Sequence, residues 1–200
     1  RGKPVNRIAV VSTFFESIPP WLPFWRLAVE QCQHVDFLLF TELLSGQEHR
    51  NLRIIKIEYA SFVDMCGTNI GLNVIPTNYR KIYTLRPTFG EALAPYLNGY
   101  DYWGYMDMDC IIGNVGLCGA LDREADAFLF DSSGACGCFI LFRNSKPINT
   151  AWRSGNYASR YIESEHSPAL DVIWINKILR AMPALKIVSG DWVAIGGDHR

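Results

Sequence analysis

The sequence predicts an α/β fold in which a mostly parallel, twisted sheet carries helices on both faces. Three short apolar runs that end at polar residues indicate buried strands of a parallel sheet, at 7–13, 35–41 and 52–57. Between the first two runs, residues 24–32 carry apolar side chains at helical spacing. This order is typical of a sheet built with crossover connections. We therefore expect polar strand ends to meet at one edge, where open α/β sheets bind ligands.

The rest of the chain continues to alternate strands and helices. Residues 60–76 contain glycines and a proline, so we expect an irregular segment there. Residues 79–97 predict one or two helices that are interrupted near Pro87. The remaining predicted elements are strands at 100–105, 125–130 and 137–142 and helices at 148–157 and 169–181.

Composition narrows the class of protein. The chain has 200 residues, of which 49% are hydrophobic and 20% charged, so it can bury a full core. A net charge of −1 with scattered basic residues argues against a nucleic-acid partner. No apolar stretch approaches the roughly 18 residues of a membrane span.

The six cysteines favour a reducing compartment. They form no Cys-x-x-Cys pair, which argues against zinc, and we expect buried free thiols. Disulfides are rare where thiols stay reduced. We therefore expect a cytoplasmic protein, the membrane face included, or a Golgi-lumen protein if a eukaryotic N-terminal anchor preceded Arg1.

The most informative motif is the pair of carboxylates Asp107 and Asp109, which follows the aromatic run at 100–105. In an extended segment, alternate residues point to the same side, about 7 Å apart. Burying an unpaired carboxylate costs several kcal/mol, and a divalent cation would neutralise both. Hard oxygen ligands suit Mg²⁺ or Mn²⁺. Asp-x-Asp is common in solvated turns, but the apolar flank at 111–115 favours a strand that leaves a core.

Several ordered blocks of the sequence resemble the GT-A glycosyltransferase fold. Residues 81–90, with Lys81, Arg86 and a Pro-x-aromatic-Gly turn, precede Trp-Gly-Tyr-x-Asp-x-Asp at 103–109. This pattern is similar to a group of mostly bacterial glycosyltransferase-like proteins, and the match covers most of residues 7–145. The resemblance implies a metal-dependent glycosyltransferase of the hexosyltransferase type, which moves a sugar from a nucleotide-diphosphate donor.

The resemblance also implies a domain organisation and leaves several specificities open. It implies one GT-A-like domain over residues 1–200, with a nucleotide-sugar and metal-binding half at about 7–115. The acceptor half, at about 116–200, is expected to be incomplete at its C-terminus. The sequence does not distinguish uridine from guanosine donors, a glycan from a lipid or protein acceptor, or a retaining from an inverting course.

Candidate donor-site residues follow from this chemistry. Asp109 would hold the cation that stabilises charge on the leaving diphosphate, and Asp107 would hold the cation or the ribose hydroxyls. Lys81 and Arg86 are candidates for the diphosphate or the donor sugar, Arg86 through a forked contact. A solvated helix face is the alternative for both.

The remaining candidates lie at both ends of the chain. Thr13 and Phe14 are candidates for the base pocket, although a phenylalanine there often packs into the core. Asp171 is the candidate general base for the acceptor hydroxyl, with stabilisation of a helix start as the alternative. The resemblance to the GT-A fold also implies a C-terminal histidine ligand to the metal, for which His199 is the candidate. The small-residue turn at 134–137 is either a sugar-binding site or a tight turn only.

Two other functions compete with this prediction. A metal-dependent nucleotidyltransferase or phosphohydrolase also uses Asp-x-Asp, but the first strand lacks a Gly-rich phosphate loop or a nucleophilic Asp. A non-catalytic sugar-binding module would use Tyr102, Trp103 and Trp21. The intact Asp107 and Asp109 argue against this module.

Overall fold

Within the residues that the computed structural model describes, seven strands form one sheet in the order β3-β2-β1-β4-β6-β5-β7. The described residues are 7–32, 35–44, 49–111, 124–129, 137–182 and 184–189. The strands are β1 (Ile8–Thr13), β2 (Val35–Thr41), β3 (Leu52–Lys56), β4 (Tyr102–Met106), β5 (Ala127–Leu129), β6 (Phe139–Arg143) and β7 (Ile187–Ser189).

The sheet is mostly parallel, as the sequence predicts. Strands β3, β2, β1 and β4 run parallel, and so do β5 and β7. Strand β6 runs antiparallel to both β4 and β5. The amino end of β6 therefore lies at the same edge as the carboxyl ends of β1 and β4, and this edge carries the candidate site.

Helices cover both faces of the sheet. The helices are α1 (Leu22–Gln31), α2 (Tyr59–Ile70), α3 (Lys81–Leu85), α4 (Phe89–Ala92), α5 (Ala94–Leu97), α6 (Lys146–Asn149), α7 (Tyr157–Ile162) and α8 (Leu170–Ala181). Short 3₁₀ turns lie at Arg86–Thr88 and Ala151–Arg153. Alternate residues of β1 pack on opposite sides: Val10 joins the core under α1, and Val11 joins the core under α2, α4 and α8.

The expectation of an irregular segment at 60–76 is wrong, because α2 occupies most of it. Gly67 does not interrupt the helix: a Cβ there would lie 2.7 Å from the carbonyl oxygen of Leu72, so close packing requires glycine. The helix ends at Gly71, which adopts the left-handed conformation with φ of 71°.

The other helix predictions have mixed outcomes. The interruption near Pro87 is confirmed by the 3₁₀ turn between α3 and α4, and the helix at 169–181 is confirmed by α8. The single helix predicted at 148–157 is wrong. That segment holds the end of α6, a 3₁₀ turn and the start of α7, because Gly155, with φ of 76°, breaks the helical path.

Candidate active site

An open cleft with a volume of about 150 Å³ lies at the carboxyl ends of β1 and β4. Its charged lining among the described residues consists of Glu16, Asp107 and Asp109 with one guanidinium, Arg86. A second, much smaller cavity of about 20 Å³ lies between the sheet and α8 and has only apolar lining residues in the described part of the chain. The charged cleft is therefore the candidate site.

A turn directly after β4 presents the two carboxylates to the cleft. The Asp107 amide donates to the Cys138 carbonyl at 2.9 Å, and the Cys110 amide donates to the Asp107 carbonyl at 3.2 Å. Met108, between the two carboxylates, is buried in the core under α1. Asp107 and Asp109 thus leave a buried strand as expected, but the expected extended backbone is wrong, because the Cys110 hydrogen bond closes a turn.

Arg86 connects the two halves of the chain at this turn. Its guanidinium donates from Nη1 to Asp171 Oδ2 at 2.9 Å and to the Gly137 carbonyl at 2.8 Å, and from Nη2 to Asp107 Oδ1. The side chain is only 3% exposed. The fork of the guanidinium serves both carboxylates at once, and this geometry distinguishes arginine from lysine. The structure therefore brings together three residues that the sequence predicts for the site: Arg86, Asp107 and Asp171.

Burial and mutual attraction set the charge states of this cluster. Burial acts to lower the pKa of Arg86, but the carboxylates of Asp107 and Asp171 outweigh it and hold the pKa above its ordinary value. Burial raises the pKa of Asp107 against the opposing effect of Arg86, and the Asp109 charge raises it further. The guanidinium also lies 4.7 Å from the Tyr83 ring centroid and 5.0 Å from that of Tyr105.

Asp171 lies behind Arg86 and not on the cleft surface. It is 2% exposed, and its Oδ1 has no hydrogen-bond partner among the described residues. A general base must reach the acceptor hydroxyl within hydrogen-bond distance. The position of Asp171, at the first turn of α8 and paired with Arg86, does not support the predicted role as general base.

The stability of the protein should depend on pH through Asp171. Burial raises the pKa of its carboxyl to about 6, with Arg86 opposing. Between pH of about 4 and about 6 the folded chain holds a proton that the unfolded chain has lost, so this contribution to stability falls as pH rises. Relative to the parent, Asp171→Asn should gain up to roughly 3 kcal/mol across this window. Urea denaturation at half-unit pH steps measures it, and a difference that is constant with pH would contradict the raised pKa.

Lys81 is held away from the cleft. It is fully buried, and its Nζ donates to the backbone carbonyls of Tyr161 at 3.0 Å and Ser164 at 2.6 Å. Burial lowers its pKa to about 8. The structure therefore does not support Lys81 as a diphosphate ligand, and the alternative of a solvated helix face is wrong.

The strand exit at β1 supplies the other wall of the cleft. Thr13 and Phe14, the candidates for the base pocket, both line it, and the Phe14 amide donates to the Phe40 carbonyl of β2. Glu16 and Tyr79 also line the cleft, and neither was among the candidates from the sequence. For Glu16, its position a few residues beyond the first strand was the sequence feature that could have indicated a place in the cleft.

The alternative function as a sugar-binding module is not supported by two of the three aromatic residues that it requires. Tyr102 and Trp103 are buried, and their polar atoms donate to Ala125 and Asn149. Trp21 remains partly exposed at the cleft. Stacking of a sugar on Tyr102 or Trp103 is therefore excluded.

Several predictions fall outside the described residues or are tested only within them. His199, the flank at 112–115 and residues 134–136 of the small-residue turn lie outside the described residues, as do Cys118 and Cys136. The described cysteines Cys32, Cys66, Cys110 and Cys138 form no disulfide, in agreement with the expected thiols. No described helix combines the length and apolar character that crossing a membrane requires. In the described ranges, no three or more His, Cys, Asp or Glu side chains form a group that could hold a metal.

Comparisons with solved structures concern the fold. Mouse xyloside xylosyltransferase 1, in its apo form, matches with a TM-score of 0.50 at 10% identity, over 92% of this chain and 84% of its own. The apo-form glycosyltransferase GlyE of Streptococcus pneumoniae TIGR4 matches at 0.47 and 15% identity, over 93% of this chain and 45% of GlyE. A Desulfovibrio desulfuricans G20 protein, assigned as a nucleotide-diphospho-sugar transferase, matches with a TM-score of 0.44 at 12% identity. The match covers 95% of this chain and 82% of that protein. The match to the mouse enzyme confirms the expected GT-A-like fold class.

Sequence comparison gives the family. No curated protein matches the chain significantly. The model of the family of unknown function DUF6625 matches residues 10–187, so the chain belongs to that family.

Proposed function

We propose that this protein is a metal-dependent glycosyltransferase, which moves a sugar from a nucleotide-diphosphate donor to an acceptor hydroxyl. The observation that carries the proposal is the Asp107–Asp109 turn, which faces a cleft at the ligand-binding edge of a GT-A-like sheet. The fold likeness to a xylosyltransferase supports the reaction class by analogy.

The charge of the cleft supports the need for a cation. Three carboxylates line it, and its guanidinium, Arg86, is already paired with Asp107 and Asp171. An anionic diphosphate would be repelled by this lining. A divalent cation between the carboxylates and the phosphates turns this repulsion into attraction.

The donor set fits Mg²⁺ or Mn²⁺. Oδ1 of Asp107 accepts from Arg86, so the cation would be held by Oδ2 of Asp107 and by the Asp109 carboxylate. Mg²⁺ commonly binds through one or two carboxylates and completes its shell with water and substrate phosphates. A site of two carboxylates is therefore sufficient when the donor supplies the remaining oxygens.

The residues of the chain perform the other tasks. The bound cation would supply charge stabilisation for the leaving diphosphate. Arg86 holds Asp107 in one orientation and is itself held by Asp171, so both act as positioning residues for the carboxylate pair. Thr13 and Phe14 line the end of the cleft at β1, where we place the nucleoside.

Calorimetric titration with Mn²⁺ and nucleoside diphosphates tests the proposal. Because the phosphates complete the cation site, Mn²⁺ should bind at least about tenfold more tightly with a nucleoside diphosphate than alone, and the reverse should hold equally. Nucleoside diphosphates that bind equally well in EDTA would overturn the metal assignment. The products of slow donor hydrolysis then identify the reaction: free sugar with nucleoside diphosphate indicates a glycosyltransferase, and sugar phosphate with nucleoside monophosphate a phosphohydrolase.

A further inference from the structure

Glu16 is a carboxylate in the cleft that the proposed reaction does not use. It is exposed, lines the cleft, and forms no hydrogen bond or ion pair with the other described residues. The loop that carries it leaves β1 toward β2, because the Phe14 amide donates to the Phe40 carbonyl at 3.0 Å. The Asp107–Asp109 turn leaves β4, on the other side of β1. The cleft thus has acidic groups on two separate sides.

Tyr83 lies within electrostatic reach of both sides. Burial raises the pKa of its hydroxyl, Asp107 adds to this, Arg86 opposes it, and Asp171 and then Glu16 contribute smaller increases. If phosphates and cation occupy the Asp107 side, the base of the same nucleotide extends toward Glu16.

The Glu16 side of the cleft also has the aromatic surface that a base requires. The rings of Phe15 and Tyr79 are nearly parallel, with an angle of 14° and a centroid distance of 6.5 Å. Tyr79 and Trp21 are 38% and 39% exposed, and both line the cleft. Bases stack on exposed aromatic rings whatever their sequence identity, so selection among bases requires a polar group.

We propose that Glu16 selects guanine, so that the donor is a guanosine diphosphate sugar; this inference rests on the proposed function. An ionised carboxylate only accepts hydrogen bonds, through two oxygens. Guanine presents two adjacent donors, N1–H and the N2 amino group, which match both oxygens in a charge-assisted pair. Uracil presents one N–H between two carbonyl oxygens, which the carboxylate repels. Adenine and cytosine present an amino group beside an unprotonated ring nitrogen.

Titration of the whole chain with GDP, UDP, ADP and CDP in Mn²⁺ tests this assignment. The parent should bind GDP at least about tenfold more tightly than the other three, because a charged hydrogen bond is lost with each of them. Glu16→Gln replaces one acceptor by a donor, so GDP affinity should fall at least about tenfold while UDP affinity stays constant or rises. Glu163→Gln makes the same change at an exposed residue outside the cleft and should alter neither affinity.

The outcomes separate this inference from the proposed function. If no nucleoside diphosphate binds with Mn²⁺, the proposed function fails. If one binds but UDP is preferred, or if Glu16→Gln weakens all four nucleotides equally, the function stands and the assignment of Glu16 to guanine is overturned. Equal loss of all four would instead place Glu16 at the phosphates or the cation.

Discussion

Replacing Asp109 by asparagine is expected to lower Mn²⁺-dependent turnover of the donor at least about a hundredfold. Asp107 is already paired with Arg86, so Asp109 is the carboxylate of the pair that has more of its oxygen atoms available for the cation. The variant removes this carboxylate. The fold should persist. Burial raises the pKa of Asp107 and the Asp109 charge adds to it, so the substitution relieves repulsion when no cation is bound.

The measurement pairs donor hydrolysis with thermal unfolding in EDTA. Asp64→Asn is the matched control, because Asp64 is an exposed carboxylate on α2 outside the cleft. We expect the control to keep its turnover and the Asp109 variant to unfold at the same temperature as the parent or higher. Unchanged turnover in the Asp109 variant would contradict the proposal that Asp109 holds the cation.

Replacing Arg86 by alanine is expected to destabilise the protein by about 3–5 kcal/mol. The substitution leaves Asp171 buried without its partner and frees Asp107, so folding then has to bury an uncompensated charge. Arg86→Lys should recover only part of the loss, because one ammonium cannot reproduce the fork that contacts both carboxylates and the Gly137 carbonyl.

Urea denaturation at pH 7 measures these changes in the free energy of unfolding. Combining Arg86→Met with Asp171→Asn should recover stability relative to Arg86→Met alone, since no unpaired charge then remains at Asp171. A purely packing role predicts additive losses. A loss below about 1 kcal/mol for Arg86→Ala would show that the cluster is not a buried ion-pair network.

The residues that the sequence predicts best are those whose role is fixed by local pattern. Asp107 and Asp109 follow a buried strand directly, so periodicity and the strand end indicate their position. The partners of Arg86 and Lys81 are set by contacts across 85 and 80 positions of sequence, and no local pattern encodes these contacts. Both residues were predicted to bind the diphosphate or the donor sugar. In sequence, a basic residue that binds a phosphate cannot be distinguished from one that binds a buried carboxylate or the carbonyl end of a helix.

The contact of Lys81 also determines how the two halves of the chain are joined. Its ammonium, on α3, binds carbonyl oxygens at the carboxyl end of α7, where helix peptide dipoles concentrate partial negative charge. Both of these carbonyl partners are neutral, and the Lys81 side chain is fully buried. Dissolved ions screen the interaction between exposed charges, whereas they screen buried interactions much less. This contact between the halves is therefore expected to depend little on ionic strength, so it can help to hold the cleft geometry in salt that weakens surface ion pairs.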